Sequence, residues 1–184
     1  MKLPSASDIL KAVFLTLTAA GCSTGFLSRK PSAAATVTLS SPNGTSVGTA
    51  RLRQSTDGFV TVDATLSSLT PGSHGIHFHA VGLCEGSTSF STAGGHYNPL
   101  NKEHGLSRPA GPHAGDAPNL VAGSDGRATV SFTTDRITLT PGGTTLFDAD
   151  GSALVVHAAA DDQVSQPSGN SGGRVACGVV RLTP

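Results

Sequence analysis

Short apolar runs, many of them β-branched, recur along the chain from residue 36 onward. In Val60–Leu66 apolar and polar residues alternate, which places them on opposite faces of an extended strand. Glycine, proline, asparagine and aspartate separate the runs, as at Asp57-Gly58 and Asp125-Gly126, and favour tight turns there. No segment keeps a helical period, and no internal repeat is evident. The pattern predicts strands at 36–40, 47–53, 59–66, 74–81, 119–122, 128–133, 153–157 and 175–182.

One long segment interrupts this regular succession of strands. Residues 83–118 are rich in glycine, proline, serine and asparagine and contain no convincing strand. Loops of this length are uncommon in compact domains unless they are functional. This loop carries His96, His104, His113 and Asp116, so metal ligation could supply its order. About eight short strands joined by tight turns therefore predict an all-β antiparallel sandwich or barrel with one functional loop.

The beginning of the chain is predicted to be a targeting segment rather than part of the folded domain. Basic residues precede an apolar run that is too short to span a bilayer, which predicts a signal segment over residues 1–22. Residues 23–35 have the composition of a flexible tether. The remaining residues, 36–184, are predicted to form the single folded domain.

The signal segment ends in a short pattern that leaves two alternatives open. Ala19-Ala20-Gly21-Cys22 resembles the lipobox of bacterial lipoproteins, although Ala19 stands where leucine is usual. Either Cys22 is acylated and becomes the mature amino terminus, or it is removed with an ordinary secretory signal. Both alternatives predict an exported protein of the periplasm or cell envelope, with contact to a membrane only through a lipid on Cys22.

The charge and cysteine content of the chain further restrict the class of protein. Lysine plus arginine and aspartate plus glutamate each number 12, so the chain lacks the basic excess typical of proteins that bind nucleic acid. The chain has three cysteines, and assigning Cys22 to the signal or lipid leaves Cys84 and Cys177. In an oxidising compartment these two are expected to form a disulfide that closes a large loop, the alternative being two buried free thiols.

Histidines provide the strongest chemical signal. In the strand predicted at 74–81, His77 and His79 share one face while Ile76 and Phe78 point into the core. A further imidazole, His157, ends another predicted strand and can approach the same region if the two strands are neighbours. Neutral imidazole suits copper and zinc, so these histidines and those of the long loop predict a metal site.

With their flanking residues these positions resemble the bacterial, exported copper/zinc superoxide dismutases. The resemblance extends through the whole domain and implies an eight-stranded Greek-key barrel or sandwich, immunoglobulin-like, with long metal-binding and electrostatic loops. It rests on six motifs: Gly75-Ile76-His77-Phe78-His79, Gly95-His96-Tyr97-Asn98-Pro99, His104-Gly105, Gly111-Pro112-His113-Ala114-Gly115-Asp116, Leu154-Val155-Val156-His157, and Gly169-Asn170-Ser171-Gly172-Gly173-Arg174-Val175-Ala176-Cys177-Gly178.

The resemblance implies one copper and one zinc per subunit, with His96 bridging the two metals. The copper ligands would be His77, His79, His96 and His157, and the zinc ligands His96, His104, His113 and Asp116. Superoxide would be disproportionated in two half-reactions as copper cycles, while zinc stays redox-silent and the bridging imidazole carries a proton.

Three further residues receive roles by the same resemblance. Arg174 would dock the superoxide anion through paired hydrogen bonds, a task that lysine would not perform equally. Asp161 would orient one copper ligand and one zinc ligand, although Asp162 competes for that assignment. His74 has no counterpart among the ligands of the family and is predicted to be a hydrogen-bonded structural residue. The loop of residues 161–174 carries few charges, so electrostatic steering is assigned to Lys102, Arg108 and Arg174 as a hypothesis.

Two other functions remain as alternatives to a working dismutase. An exported copper/zinc-binding module would trap metal without turnover, and a structural or adhesive sandwich would need no histidine ligands. The complete ligand set and Arg174 favour the enzyme. The subunit arrangement is left open, with a homodimer as one arrangement.

Overall fold

The structure, a computed structural model, describes residues 32–183, and strands form its regular framework. Within these residues the only helical elements are two short 3-10 turns, at Gly86–Thr88 and Ser91–Ala93. The strands are β1 (Ala33–Ser40), β2 (Ser46–Gln54), β3 (Val60–Leu66), β4 (Gly72–His74), β5 (Ile76–His79), β6 (Leu120–Ala122), β7 (Ala128–Thr134), β8 (Ala153–His157), β9 (Arg174–Val179) and β10 (Arg181–Leu182).

All strand pairs are antiparallel and follow one path, β4-β6-β7-β3-β2-β1-β9-β8-β5, with β10 added beside β1. The first and last strands of this path are β4 and β5, which are separated in the chain by Gly75 alone. The two ends of the sheet therefore meet at this residue, and the sheet forms a nearly closed antiparallel barrel. The predicted all-β Greek-key fold is confirmed.

Ten strands are present where eight were predicted, and the closure of the barrel explains one of the two additional strands. The segment predicted as one strand over 74–81 is divided at Gly75, because the chain passes there from one end of the sheet to the other. A Cβ at this position would lie 3.0 Å from the His77 ring and from Ser171, so glycine permits the close crossing. The predicted last strand is likewise divided, into β9 and β10, around Val180.

The predicted boundary between tether and domain is wrong by three residues. Strand β1 begins at Ala33, where the sequence predicted a tether through residue 35. Ala33–Ala35 pair with Leu52–Gln54 of β2, and Ala35 is buried in the core. Ladder hydrogen bonds override the weak strand propensity of alanine here. The signal segment, Cys22 and the rest of the tether lie outside the described residues.

Alternating burial along the strands builds the core. In β2 the buried side chains include Val47, Ala50 and Leu52, with exposed positions between them. Phe78 of β5 is buried in the same cluster, as the sequence predicted for this face of the strand. Each fully buried aliphatic or aromatic side chain contributes about 1.5–3 kcal/mol, so the barrel is a rigid frame for whatever its strands present on their other side.

The long loop is tied to the barrel by a covalent bond. Cys84, near the start of the loop, forms a disulfide with Cys177 of β9, and the two residues are 93 positions apart. The predicted pairing is confirmed. Phe90 and Val155 pack in the small apolar cluster around Cys177, so the first part of the loop is held by packing as well. Among residues 32–183 there is no helix of the length and apolarity needed to cross a membrane.

Candidate metal centre

Three of the predicted ligands are presented by strands. His77 and His79 lie on β5, which pairs with β8 in a register that sets His77 opposite Val155. His157 ends β8, and its backbone N–H donates to the Gly75 carbonyl at 2.9 Å. The Nε2 atoms of His79 and His157 are 3.4 Å apart. Sheet pairing therefore brings the three imidazoles together, as the sequence predicted if the strands were neighbours.

The remaining ligands come from the long loop, which folds back along β5. Two isolated antiparallel bridges, His77 with Asp116 and His79 with His96, align the loop against the strand. The seven residues form two buried groups, in each of which the ligand atoms lie within 4.8 Å of one another; the groups are His77, His79, His96 and His157, and His96, His104, His113 and Asp116. Every residue predicted as a metal ligand lies in one of these groups, and His96 belongs to both.

In the first group, which we call the strand group, hydrogen bonds fix which nitrogen of each ring is free. The Nδ1–H of His79 donates to the Gly94 carbonyl at 2.9 Å, and that of His157 to the Gly172 carbonyl at 3.2 Å. The Nε2 lone pair of each ring is thereby left for a ligand. His77 has the opposite arrangement, because its Nε2 bonds Asp161 at 2.7 Å. The group offers only imidazole nitrogens, a donor set that suits copper.

Buried nitrogens without a hydrogen bond support this interpretation. His77 Nδ1, His96 Nε2 and His113 Nδ1 are buried and have no hydrogen-bond partner among the described residues. Leaving a buried polar atom unpaired costs about 1–3 kcal/mol, so native proteins rarely do it without a reason. Metal coordination is such a reason, and the residues present fit bound metal ions.

Asp116 organises the second group, which we call the loop group. Its Oδ1 lies 3.0 Å from the Nδ1 atoms of His96 and His104 and 3.5 Å from Nδ1 of His113. Its Oδ2 accepts backbone N–H bonds from Gly105 at 2.8 Å and from His113 at 3.0 Å. Three nitrogens and one carboxylate oxygen are a donor set typical of tetrahedral zinc.

Asp161 connects the two groups. One carboxylate oxygen bonds Nε2 of His77 at 2.7 Å, and the other bonds Nε2 of His104 at 3.0 Å. Asp161 is buried, whereas Asp162 is exposed and bonds residues of its own loop. The structure therefore places Asp161, and not its neighbour, against the histidines. The backbone of Asp161 is held in turn by Asn119, whose side-chain amide exchanges two hydrogen bonds with it.

Arg174 lies beside the strand group because of strand register. It is the first residue of β9 and pairs directly with His157 of β8. Its two Nη atoms donate to the carbonyl oxygens of Phe90 and Gly94, each at 2.6 Å. The Gly94 carbonyl also accepts the bond from His79, so one peptide group orients both the guanidinium and a histidine. A guanidinium has five N–H donors, and its remaining ones can address an anion.

Burial and neighbouring charges shift the pKa values of the site histidines in opposite directions. Burial lowers the pKa of His79 to about 2, of His157 to about 3 and of His96 to about 4, and neighbouring positive groups add to the effect. His104 behaves in the opposite way. Burial acts to lower its pKa, but hydrogen bonds to Asp116 and Asp161 outweigh burial and raise it to about 9. In the metal-free protein at neutral pH, His104 therefore carries a proton on both ring nitrogens and lies as a cation between the carboxylates of Asp116 and Asp161.

The seventh histidine has the structural role predicted for it. His74 is buried at the end of β4, where its Nδ1 lies 2.7 Å from the His157 carbonyl and its Nε2 lies 2.8 Å from the Thr70 carbonyl. It thus joins the two ends of the barrel and anchors the backbone of a strand-group residue. It is not a member of either ligand group.

Several residues around the site carry no signal in the sequence. Asn119, Gln163 and Gln166 all bond backbone groups of the loops that surround the histidines. Arg136 donates from Nη2 to the Asp116 carbonyl at 2.8 Å. Amides and arginines are ordinary surface residues, so only the folded geometry reveals which backbone groups they reach.

Comparison with known proteins identifies the family. Residues 46–180 match the family model of copper/zinc superoxide dismutase (SODC). The chain is 42% identical over 146 residues to the superoxide dismutase-like protein YojM of Bacillus subtilis, covering 78% of this chain and 74% of that protein. It is 41% identical over 140 residues to superoxide dismutase [Cu-Zn] 1 of Aquifex aeolicus, covering 75% and 82%.

A solved structure agrees with these sequence matches. The crystal structure of a SOD-like protein from Bacillus subtilis superimposes with a TM-score of 0.74 at 41% identity, covering 78% of this chain and 96% of that one. The chain belongs to the copper/zinc superoxide dismutase family. The resemblance to copper/zinc superoxide dismutases inferred from the six motifs is confirmed, and with it copper and zinc as the expected cofactors, whereas export stays a prediction.

Proposed function

We propose that this protein disproportionates superoxide to oxygen and hydrogen peroxide. In this proposal the strand group would hold copper, the loop group would hold zinc, and His96, which belongs to both groups, would be a ligand common to them. The observation that carries the proposal is the position of the His96 ring. Its Nδ1 faces the loop group at 3.0 Å from Asp116, while its buried Nε2 has no hydrogen-bond partner among the described residues and belongs to the strand group.

Bound copper would supply the one-electron exchange, taking an electron from one superoxide and returning it to the next. The protein residues bring in the anion and one of the two protons that hydrogen peroxide requires, and the other comes from solvent water. Arg174 attracts and orients the anion beside His157, because its guanidinium stays charged and is held by two carbonyl oxygens. His96 is placed to hold a proton at Nε2 and to deliver it to the reduced product. Asp161 keeps His77 and His104 in the tautomers that their group requires.

The test is superoxide consumption by the purified protein loaded with copper and zinc, with the metal content measured on the same samples. We expect rapid, copper-dependent turnover that His157→Ala abolishes. Arg174→Lys keeps the charge but loses the paired donors, and we expect the rate to fall about ten- to a hundredfold, the worth of a charge-assisted hydrogen bond. Full occupancy of both sites without turnover would contradict the proposal and leave a metal-binding module.

We also propose that the protein is exported and anchored by a lipid on Cys22. The apolar run that precedes Cys22 supports export, and the disulfide between Cys84 and Cys177 suits an oxidising compartment. Metabolic labelling with a fatty-acid analogue should mark the wild-type protein and not Cys22→Ser. Labelling of neither protein, with export intact, would indicate an ordinary cleaved signal.

A further inference from the structure

Gln166 forms a pair of hydrogen bonds with a single residue of the loop group. Its Oε1 accepts the backbone N–H of His104 at 2.8 Å, and its Nε2 donates to the backbone carbonyl of the same residue at 2.9 Å. The amide thus bonds His104 as a neighbouring strand would. Because the two residues are 62 positions apart, this contact joins the loop after β8 to the long loop.

A second glutamine strengthens the same junction. Gln163 accepts the backbone N–H of Leu106 through Oε1 at 3.1 Å and donates through Nε2 to the Ala117 carbonyl at 3.2 Å. Between the two glutamines the loops touch closely, since a Cβ on Gly105 would lie 2.0 Å from the Gln163 carbonyl oxygen. Gly105 also has a φ of +108°, so glycine is required there on both grounds.

We propose that Gln166, supported by Gln163, is a positioning residue for the zinc ligand His104. The inference rests on the proposed function, in which zinc occupies the loop group. His104 lies on a segment outside the named strands, so sheet hydrogen bonds do not fix its backbone. Gln166 supplies the two backbone bonds that a strand neighbour would, while Asp161 fixes the far side of the ring. The loop after β8 thereby helps to determine zinc affinity without contributing a ligand.

The expected size of the effect follows from the role. Removing partners that orient a metal ligand typically lowers metal affinity about 10- to 100-fold. Gln166→Ala removes both bonds to the His104 backbone and should fall in that range. Gln166→Glu keeps an acceptor for the N–H but turns a carboxylate oxygen toward the His104 carbonyl, so we expect an effect of similar size with full side-chain length. Gln163→Ala acts one residue further from the ligand and should have a smaller effect in the same direction.

The experiment is competition for zinc between a chelator and the full-length, copper-free protein. Gln54→Ala is the matched control, because Gln54 is a buried glutamine whose Oε1 accepts the backbone N–H of Leu139. We expect the zinc dissociation constant to rise at least about tenfold in Gln166→Ala and to stay at the wild-type value in Gln54→Ala. Copper bound to the zinc-loaded variants should give the wild-type visible spectrum.

The possible outcomes separate this inference from the function on which it rests. If the wild-type protein does not take up zinc, the proposed function fails first. Wild-type zinc affinity in Gln166→Ala and Gln166→Glu would overturn the positioning role alone. If Gln54→Ala weakened zinc binding equally, the loss of affinity would reflect general stability, and the positioning role would again be overturned. Thermal unfolding of each metal-free variant shows which variants are folded. If Gln166→Ala does not fold, the zinc affinity of Gln163→Ala tests the inference instead.

Discussion

The two metal groups share His96 but are built by different means. The strand group takes three histidines from paired strands, and the register of β5, β8 and β9 fixes them together with Arg174. The loop group takes its ligands from a segment outside the named strands, where two isolated bridges to β5 and hydrogen bonds from side chains to the backbone supply the order. Sheet pairing positions most of the group proposed to do the redox chemistry, whereas a loop held by hydrogen bonds positions the group proposed to hold zinc.

This difference means that the loop group depends on more distant supports. Asp116, Asp161 and Gln166 hold it from three sides, and the disulfide holds the start of the loop. In the strand group, sheet pairing sets three of the four histidines, and the loops supply His96 and the hydrogen bonds that orient the rings. Changes that loosen the loops should therefore affect zinc before they affect copper, which is an asymmetry between the two groups.

Removing the disulfide should have the largest effect. In Cys84→Ser or the reduced protein, a closed loop of about 93 residues opens, which in the chain-entropy model lowers the free energy of unfolding by about 4–5 kcal/mol. We expect zinc to dissociate at lower denaturant concentration than copper. The measurement is equilibrium denaturation with metal release followed for both ions; simultaneous release with an unchanged midpoint would contradict the asymmetry.

Asp161→Asn should have the next largest effect, and it should touch both groups. Asparagine has one acceptor oxygen, so it cannot accept from both His77 and His104, and its NH₂ group would face the N–H of one ring. We expect both metal affinities to fall, by about 10- to 100-fold for the ion whose ligand loses its partner.

Asp162→Asn is the control for this variant, because Asp162 is exposed and bonds Ser165 and Asn170 of its own loop. We expect it to keep both affinities at the wild-type value. A loss of affinity in Asp162→Asn equal to that in Asp161→Asn would show that the loop as a whole, and not the Asp161 carboxylate, is responsible. Chelator competition with copper and zinc separately gives the measurement.

The same asymmetry determines how much of the site the sequence could predict. His77, His79 and His157 follow from strand alternation, and their meeting required only that the strands be neighbours. The histidines and Asp116 of the long loop could be proposed as metal ligands from the length and composition of the loop. Their division between two sites came only from the family motifs, because nothing in their spacing shows how an irregular loop folds back. The roles of Asn119 and Gln166 depend on bonds to backbone groups 42 and 62 residues away, which composition and periodicity do not encode.

Within the fold, the sequence predicted the class and most strands but not the points where strands divide. Gly75 ends β4 and starts the crossing to β5 because the barrel closes there, a long-range event that a local pattern does not show. The start of β1 at Ala33 is likewise a long-range effect, because the alanines there are extended to pair with β2 and, at Ala35, with β10.

The two groups should also differ in the number of protons that they release when metal binds, an effect smaller than the preceding two. The pKa of His104 is raised to about 9, so at pH 7 this residue is protonated in the metal-free protein, and zinc must displace that proton to reach Nδ1. Zinc binding should therefore strengthen as the pH rises toward 9 and release about one proton at pH 7. His79 and His157, with pKa values lowered to about 2 and 3, are neutral at pH 7 and release none when copper binds.

Calorimetry in buffers of different ionisation enthalpy measures this release directly. Zinc added alone at pH 7 should show the buffer dependence of about one proton, and at pH 10 the dependence should vanish. His104→Ala serves as the comparison, and any zinc that it still binds should release no proton at this position. Absence of proton release from the wild-type protein at pH 7 would show that His104 is neutral between its two carboxylates.

Electrostatic steering should give the smallest effect, and the structure distinguishes Lys102 from Arg108, two of the three candidate residues. Arg108 bonds Glu103 through Nε at 2.9 Å and Nη2 at 2.7 Å, so most of its field is offset at short range. Removing Lys102 should lower the superoxide rate about twofold at low ionic strength and less at 0.15 M salt, where charges are screened over about 8 Å. Arg108→Ala should change the rate less than Lys102→Ala, whereas Glu103→Gln, which frees the guanidinium charge, should raise it. A rate that none of the three changes alter at any salt concentration would leave Arg174, held beside the strand group by the register of β9, as the one steering charge among the three candidates.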